Sequence, residues 1–275
     1  MSVYDTITNN IISELEKGCT PPWVQSWNGE LNTNVKSGNA YTGINRLVLM
    51  LIGLKYDSTL WGTYNQWQKV GGQVRRGEKS TVIVYYGDGK TEKDGEEHLY
   101  KFAKAHRVFN LDQVDNVEHL RTKSLPALSK DYEHCDLTIK ATNAIVKNGG
   151  DRACFVPSMD IIKMPHKDDF NSLDQYYCTA FHELTHWSGH KTRLKREFGD
   201  RFGDKNYAFE ELVAELGSAF LSAEHNLVGD LRHAGYIESW LEILKSDKKA
   251  IFTAASLAQK AVTFINSFKE IKKVA

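Results

Sequence analysis

The sequence predicts an α+β protein with two domains. The N-terminal half is predicted to contain helices followed by a small antiparallel sheet, and the C-terminal half to be mainly helical with one short sheet. Two observations lead to this prediction. Apolar residues recur at helical spacing along most of the chain, and a few β-branched and aromatic runs interrupt that spacing. With 275 residues, 41% of them apolar, the chain suits two domains of about 100–150 residues each.

The first part of the chain is predicted to contain three helices. Apolar residues at helical spacing predict helices at about 7–15, 44–54 and 61–70. Glycine follows the first and third of these helices and precedes the second, as expected at helix boundaries.

A β-hairpin is predicted next. Thr81–Tyr86 is rich in β-branched and aromatic residues, and Tyr100–Asn110 resumes this character, so both are predicted strands. The polar stretch Gly87–Glu97 between them is predicted to be the hairpin loop.

A polar segment that contains Pro126 divides the chain. We assign 126–135 as a linker between an N-terminal domain at 1–125 and a C-terminal domain at 136–275. Beyond the linker, the predicted elements are a helix at Leu137–Lys147, a strand pair at Cys154–Val156 and Asp160–Met164, and helical stretches near 171–189, 206–225 and 233–268, the last of them broken.

Charge and cysteine usage narrow the class of protein. Basic and acidic residues number 35 each, so any surface that binds a polyanion must be a local patch. The four cysteines are far apart and include no CxxC pair, which is typical of a reducing compartment and argues against a cysteine-ligated zinc ion. No secretory signal and no membrane-spanning stretch is visible, so we expect a cytoplasmic protein with no membrane partner.

The most specific motif is His182-Glu183-Leu184-Thr185-His186, an HExxH sequence in a predicted helix. Residues four apart lie one turn apart on the same face, so both imidazoles can bind one metal ion. Glu183 projects toward the same place, where a carboxylate can act as the general base. The motif predicts a Zn²⁺-dependent, peptidase-type site with His182 and His186 as ligands and Glu183 as the catalytic residue.

A catalytic zinc ion needs a third protein ligand and an open position. The helix predicted near 206–225 has acidic residues beside its apolar face, and a buried acid costs much free energy unless it is paired or bound to metal. We assign Glu211 as the third ligand and Glu215 as the carboxylate that holds a ligand histidine. The reverse assignment is the alternative, because these two residues lie on one face.

Several further residues are candidates around this site. His190 is a possible ligand, transition-state donor or helix-end histidine, although it lies closer to the second motif histidine than the metzincin pattern requires. Tyr207, Arg193 and Arg196 are candidate contacts to the oxyanion or substrate, and surface charge is the commoner explanation for the arginines. Asp160–Met164 is predicted to be an edge strand that could pair with an extended peptide.

Aromatic and basic residues cluster in the first half. Aromatic rings stack on unpaired bases and cations follow the phosphate backbone, as in sequence-tolerant binding of single strands. The candidate DNA-binding residues are Trp23, Trp27, Tyr41, Arg46, Trp61, Tyr64, Trp67, Lys69, Arg75, Arg76 and Lys79. The commoner alternative is that the tryptophans belong to the core and that the glycine-rich basic turn is a solvated loop.

Several separate phrases resemble one family. They are Ser37–Asn45, Trp61–Trp67, Gly71–Lys79, Val108–Gln113, His182–His190 with Arg193-Leu194, and Tyr207–Phe220. In this order they resemble antirestriction proteins of the ArdC type. The resemblance implies an N-terminal domain that binds single-stranded DNA and a C-terminal zincin-like metallopeptidase domain of the gluzincin type. It also implies a role in plasmids, phages or integrated elements, where such proteins shield incoming DNA from restriction.

Three functional hypotheses follow. The leading one is an antirestriction-type protein that binds single-stranded DNA and has an active zinc metallopeptidase domain acting on a protein or peptide. The alternative is a protective DNA-binding protein whose zinc site is structural or catalytically silent. A third is a peptidase whose first half recognises a protein partner.

Overall fold

A computed structural model describes residues 2–17, 31–93, 96–121, 132–198, 205–228 and 236–274. These residues have an α+β fold, as predicted, and form two compact units. The first unit comprises the described residues of Met1–Ile11 and Asn32–Lys123, and the second those of Ile12–Leu31 and Ser124–Ala275. None of the helices within the described ranges is both long and apolar enough to cross a membrane.

The first part of the chain contains three helices and six strands in its described residues. The helices are α1 (Val3–Glu16), α2 (Gly43–Gly53) and α3 (Tyr64–Lys69), and the strands are β1 (Thr33–Asn34), β2 (Leu60–Gly62), β3 (Gln73–Val74), β4 (Thr81–Lys93), β5 (Glu96–Asn110) and β6 (Val114–Asp115). One sheet has the order β1-β2-β5-β4, with β1 parallel to β2 and the other pairs antiparallel. Strands β3 and β6 form a separate antiparallel pair.

Two tryptophans organise the core of the first unit. Trp61 packs with Leu49, Ile83 and Val108, while Trp67 lies in a second apolar cluster. The ring nitrogen of each is bonded: Trp61 Nε1 donates to the side chain of Asn32 at 2.6 Å, and Trp67 Nε1 to a backbone carbonyl. Both indoles can therefore be buried without an unsatisfied donor.

The prediction of a loop at Gly87–Glu97 is wrong. Strands β4 and β5 continue as a paired ladder out to Lys93 and Glu96. The prediction failed because the stretch is polar and includes three glycines, which usually indicate a turn, whereas here the ladder extends beyond the core.

The third predicted helix is shorter than its apolar spacing indicated. Trp61 lies in strand β2, and helix α3 begins only at Tyr64. Thr63 sets this start, because its side chain accepts from Gln66 N while the Gln66 side chain accepts from Thr63 N. This reciprocal capping box fixes the helix N-terminus at the residue that follows Thr63.

The second part of the chain contains five helices and three strands in its described residues. They are α4 (Tyr132–Ala141), β7 (Ile145–Asn148), β8 (Cys154–Val156), β9 (Ile161–Met164), α5 (Leu173–Ser188), α6 (Lys205–Glu224), α7 (Ile237–Ser246) and α8 (Ala250–Val274). The three-stranded sheet has the order β7-β9-β8, with β9 parallel to β7 and antiparallel to β8.

Two assignments around α4 need correction. The helix predicted at Leu137–Lys147 ends at Ala141, and Ile145–Asn148 is strand β7. Asn143 has a left-handed φ of 57°, a conformation that commonly ends a helix. The stretch 132–135, assigned to the linker from sequence, forms the first turn of α4; its neighbours at 126–131 lie outside the described residues.

The strand at Asp160–Met164 was predicted to be an edge strand, which is wrong. Strand β9 lies between β7 and β8, so both of its sides already have partners. Strand β8 is the edge strand on one side of this sheet. Within the described residues the edges of this sheet are β7 and β8, so a pairing surface for an extended chain would belong to one of these and not to β9.

Helices α5 and α6 pack closely at a glycine. A Cβ atom at Gly217 would lie 2.5 Å from Cγ2 and 2.6 Å from Oγ1 of Thr185. Thr185 cannot easily move, because it is fully buried and its hydroxyl donates to Phe181 O at 2.8 Å. Gly217 thus permits the helix carrying the acidic residues to approach the helix carrying the HExxH motif.

Replacing Gly217 with alanine should lower the free energy of unfolding by about 1–3 kcal/mol, the usual cost of overpacking. Urea unfolding measures this loss. Thr185→Ala removes the atoms that the new Cβ would meet, so the double variant should recover part of the loss in a double-mutant cycle. Strict additivity of the two substitutions would show that close contact at this position is not the cause.

Candidate metal centre

Helices α5 and α6 bring two histidines and one glutamate together. Nε2 of His182 and Nε2 of His186 lie 3.1 Å apart, and each lies 3.4 Å from an oxygen of Glu211. All three residues are less than a tenth exposed. Within the described part of the chain, these three form the group of His, Cys, Asp and Glu side chains that could hold a metal ion, with ligand atoms within 4.8 Å of one another.

A carboxylate that was not assigned from the sequence orients His186. Nδ1 of His186 lies 3.0 Å from Oε1 of Glu210. An ionised carboxylate only accepts, so Nδ1 donates the proton and Nε2 is directed toward Glu211. This is the outer hydrogen bond that metal-binding histidines usually make. Glu210 precedes Glu211 in the sequence, but the spacing alone does not indicate which histidine it would meet.

Arg196 completes this arrangement, and its role differs from the surface or substrate contact considered from sequence. Its guanidinium bonds both oxygens of Glu210 at 2.9 Å and donates to Thr185 O at 2.6 Å. The two side chains are only 4% and 5% exposed. Gly189 makes room, because a Cβ there would lie 2.7 Å from Cζ of Arg196. Gly189 is the residue that caps α5, and its φ is an ordinary −79°, so the position requires glycine for space and not for backbone freedom.

Glu215 and Tyr207 flank the same cluster. Oε1 of Glu215 lies 3.7 Å from Nδ1 of His182, on the side of the ring away from Glu211. Burial, followed by the charge of Glu211 and a hydrogen bond with Tyr236, raises the pKa of Tyr207. Tyr207 therefore keeps its proton at neutral pH and can act only as a donor toward an anionic oxygen.

Strand β8 fixes the carboxylate of Glu183. The backbone N–H of Phe155 donates to Oε2 of Glu183 at 2.7 Å, and Glu183 is 6% exposed. The edge strand and the predicted base thus meet directly, which the sequence did not indicate.

His190 and Arg193 lie near the helix end but outside the three-residue cluster. Nδ1 of His190 lies 2.8 Å from Oγ1 of Thr192, and its ring meets Phe155 edge-on. Arg193 lies over the ring of Trp187 at 4.0 Å and is bonded to Asp160. These contacts hold the Arg193 side chain against the end of α5 and stabilise the loop that follows it.

The protonation of the cluster follows from its buried acids. Burial lowers the pKa of His186, but hydrogen bonds to Glu210 and Glu211 outweigh burial and raise it above the usual value. Burial raises the pKa of Glu211, but hydrogen bonds to His182 and His186 outweigh it and lower that pKa. Without metal, a proton on His186 offsets the negative charge of the carboxylates, and a divalent cation can take its place.

The donor set fits a divalent ion such as zinc. Two imidazole nitrogens and one carboxylate are a combination found in catalytic zinc sites, which keep a fourth position open. The outer hydrogen bond of His186 to Glu210, and the carboxylate of Glu215 at 3.7 Å from Nδ1 of His182, also agree with such a site.

Three of the DNA-binding candidates are buried in the first unit. Trp61 and Trp67 are 0% exposed, and Arg46 is 5% exposed. Their assignment to DNA binding is therefore wrong, because buried rings cannot stack on bases. The apolar spacing of these residues reflects the core, which was the alternative considered from sequence.

The remaining candidates differ in accessibility. Tyr41 is half-buried and its hydroxyl accepts from Asn34 at 2.8 Å. Arg75 is exposed but paired with Glu78 at 2.8 Å and with Asp115. The candidates that stay exposed are Tyr64, Lys69, Arg76 and Lys79. Trp23 and Trp27 lie outside the described residues.

Comparisons with known proteins agree with both halves of this structure. Residues 133–257 match a family described as zincin-like metallopeptidase, and residues 1–109 match the N-terminal domain of anti-restriction factor ArdC. The fold and the HExxH cluster thus define a protein with a zincin-like metallopeptidase domain.

Relatives of similar length identify the family. The crystal structure of antirestriction protein ArdC from plasmid R388, metal-free, is 39% identical, covers 98% of both chains and has a TM-score of 0.85. Its Mn(II)-bound structure is 38% identical, with the same coverage and a TM-score of 0.82. Protein y4eC of Sinorhizobium fredii is 36% identical over 282 residues, 96% of this chain and 92% of that protein. The chain belongs to the ArdC-type antirestriction family.

A longer relative contains a similar region. DNA primase TraC of Escherichia coli is 34% identical over 296 residues, which are 97% of this chain but 27% of TraC. The zincin-like domain and the manganese-bound relative together support the divalent metal cofactor predicted from the sequence.

Replacing Arg196 with methionine should destabilise the protein by about 3–5 kcal/mol, because it leaves the carboxylate of Glu210 buried without its cation. It should also weaken metal binding about 10–100-fold, since His186 loses its orientation. Arg193→Met is the matched control: it removes an arginine from the same loop but should leave metal affinity unchanged. Equal metal affinity in both variants would contradict the orienting role of Arg196.

Proposed function

We propose that this chain is an antirestriction protein that binds single-stranded DNA and hydrolyses a peptide bond with a zinc-type active site. The observation that supports the enzyme is a buried Glu183 that directly follows His182 of the cluster on α5, with its carboxylate held by the Phe155 N–H. The three residues of the cluster would hold Zn²⁺, with Glu215 and Glu210 behind the histidines.

The chain's own residues have distinct roles in this reaction. When bound, the ion polarises the substrate carbonyl and makes water acidic enough to ionise near neutral pH. Glu183 accepts the proton at its carboxylate and passes it to the leaving amine. Tyr207 keeps its proton and can donate to an oxyanion. The edge of β8, where the Phe155 N–H is bonded to Glu183, leaves its other backbone groups for an extended peptide.

The proposed DNA interaction belongs to the N-terminal domain, at 1–125. Tyr64, Arg75 and Arg76 line an open cleft, and Lys69 and Lys79 lie exposed on the same unit. Cations along an open surface suit the phosphate backbone of a flexible strand. The match to the N-terminal domain of ArdC supports this assignment.

The competing function is protection by DNA coverage alone, with a catalytically silent metal site. The same three ligands would then only hold α5 and α6 together. Glu183 favours the enzyme, because a purely structural metal site has no use for a carboxylate next to its ligands.

Replacing Glu183 with glutamine distinguishes the two functions. The variant should keep its metal, since no proposed ligand changes, but should lose hydrolysis of labelled casein by about a hundredfold or more. Metal analysis and transfer of unmodified DNA into a restricting host complete the measurement. Glu197→Gln, an exposed acid near the same helix end, is the control. Unchanged protection with metal retained would establish the competing function, and unchanged hydrolysis would refute the role of Glu183.

The affinity for an oligonucleotide should fall as the salt concentration rises, and the slope of this dependence reports the number of phosphate contacts. Arg76→Ala and Lys79→Ala should each reduce the slope of log affinity against log salt by about 0.7. Fluorescence anisotropy with a labelled single strand gives this slope. Lys147→Ala, which removes an exposed cation from β7 in the second unit, should leave it unchanged. Identical slopes for all variants would place the phosphate contacts elsewhere.

A further inference from the structure

The outer part of the β4–β5 hairpin has a face covered by aromatic rings. The pairing register sets Gly87 opposite Phe102 and Gly89 opposite Tyr100. Because side chains alternate along a strand, these four residues share one face, and Tyr85 belongs to it as well. The core ends just before this point, since the preceding residue on the same face of β4, Ile83, is buried.

The rings form a continuous row that remains open to solvent. The centroids of Tyr100 and Phe102 lie 6.3 Å apart, those of Phe102 and Tyr85 6.4 Å, and those of Tyr85 and His106 5.4 Å. Tyr85, Tyr100 and Phe102 are 53%, 50% and 37% exposed.

The two glycines allow the rings to lie across the neighbouring strand. A Cβ at Gly87 would lie 2.6 Å from Cζ of Phe102, and one at Gly89 would lie 2.4 Å from Cζ of Tyr100. Any side chain at these positions would therefore push the rings away from the sheet. The pairing of an aromatic ring with a cross-strand glycine also supports the strand at that point.

The aromatic face carries a cation and no acid in the part of the hairpin that holds the rings. Between Thr81 and Thr91, and from His98 to Val108, the aromatic face contains no acidic residue, and Lys104 lies opposite Tyr85. The one acidic side chain of these segments, Asp88, is on the other face, which also carries Lys90, Lys101 and Arg107. Strand β5 itself has no acid from His98 to Asn110. The aromatic face therefore presents Lys104 to a polyanion and has no acidic side chain that would repel its phosphates.

We infer that Tyr85, Tyr100, Phe102 and Lys104, called here the aromatic platform, are the base-stacking surface for single-stranded DNA. The inference rests on the DNA-binding part of the proposed function and assigns it residues that the sequence did not suggest. Lys104 meets the phosphate backbone while successive bases lie on the rings.

The ring spacing selects an unpaired strand. Adjacent bases in a B-form strand rise by about 3.4 Å, whereas neighbouring rings of the platform lie 6.3 and 6.4 Å apart. A strand that places one base on each ring must be extended and unstacked, which a duplex does not allow. Because every base has a π-face, such binding tolerates many sequences.

The test uses the full-length protein and a labelled oligothymidylate at low salt, measured by fluorescence anisotropy. Tyr85→Thr and Phe102→Thr keep strand-forming residues and should each weaken binding about tenfold. Phe102→Trp should retain the wild-type affinity and add a fluorescence signal that the oligonucleotide quenches. Lys104→Ala should reduce the salt slope by about 0.7. Circular dichroism and thermal melting establish that each variant is folded.

The opposite face of the same hairpin supplies the control. Tyr86→Thr and Leu99→Thr remove side chains that are 52% and 73% exposed and should leave affinity unchanged. An equal loss of DNA affinity on substitution of either face would overturn the platform. Wild-type affinity in folded Tyr85→Thr and Phe102→Thr variants would also overturn it. In both cases the DNA-binding part of the proposed function would still stand. Failure of the wild-type protein to bind any single strand would overturn both the platform and the DNA-binding part of the proposed function.

Discussion

Burial of charge between α5 and α6 is the constraint on which the second unit depends. His182, His186, Glu210, Glu211 and Glu215 are all less than a tenth exposed. A buried charge without a partner costs several kcal/mol, so these helices can pack only if every carboxylate meets a cation or donor. The protonated imidazole of His186 and the guanidinium of Arg196 are such partners in this structure, and a divalent metal cofactor is the third. Folding and metal binding therefore draw on the same contacts.

Small residues and one buried arginine make that arrangement possible. Gly217 lets α6 approach Thr185 on α5, and Gly189 leaves room for the guanidinium of Arg196. Arg196 then joins the end of α5 to Glu210 on α6. The ligands are thus oriented by a network that extends well beyond the HExxH motif, as is usual for metal sites whose outer partners fix the rings.

The first unit divides its aromatic residues between two tasks. Trp61 and Trp67 fill the core with their ring nitrogens bonded, and so secure the base of the hairpin. Tyr85 and Phe102 lie farther out on β4 and β5, where, among the described residues, the sheet has only these two strands and both rings are exposed. A two-stranded ribbon alone is marginally stable, so its attachment to a tryptophan core lets it present exposed rings.

The sequence alone determined the features that depend on local spacing. Two histidines four apart and an acid beside the apolar face of another helix predicted the cluster of His182, His186 and Glu211, and helical periodicity predicted most helices. Tertiary structure decided the rest: that β9 is a central strand, that Glu210 meets Arg196, and that glycines usually typical of turns lie in a ladder. The physical reason is that these outcomes depend on which distant strand or side chain becomes a neighbour, and spacing along the chain does not specify that partner.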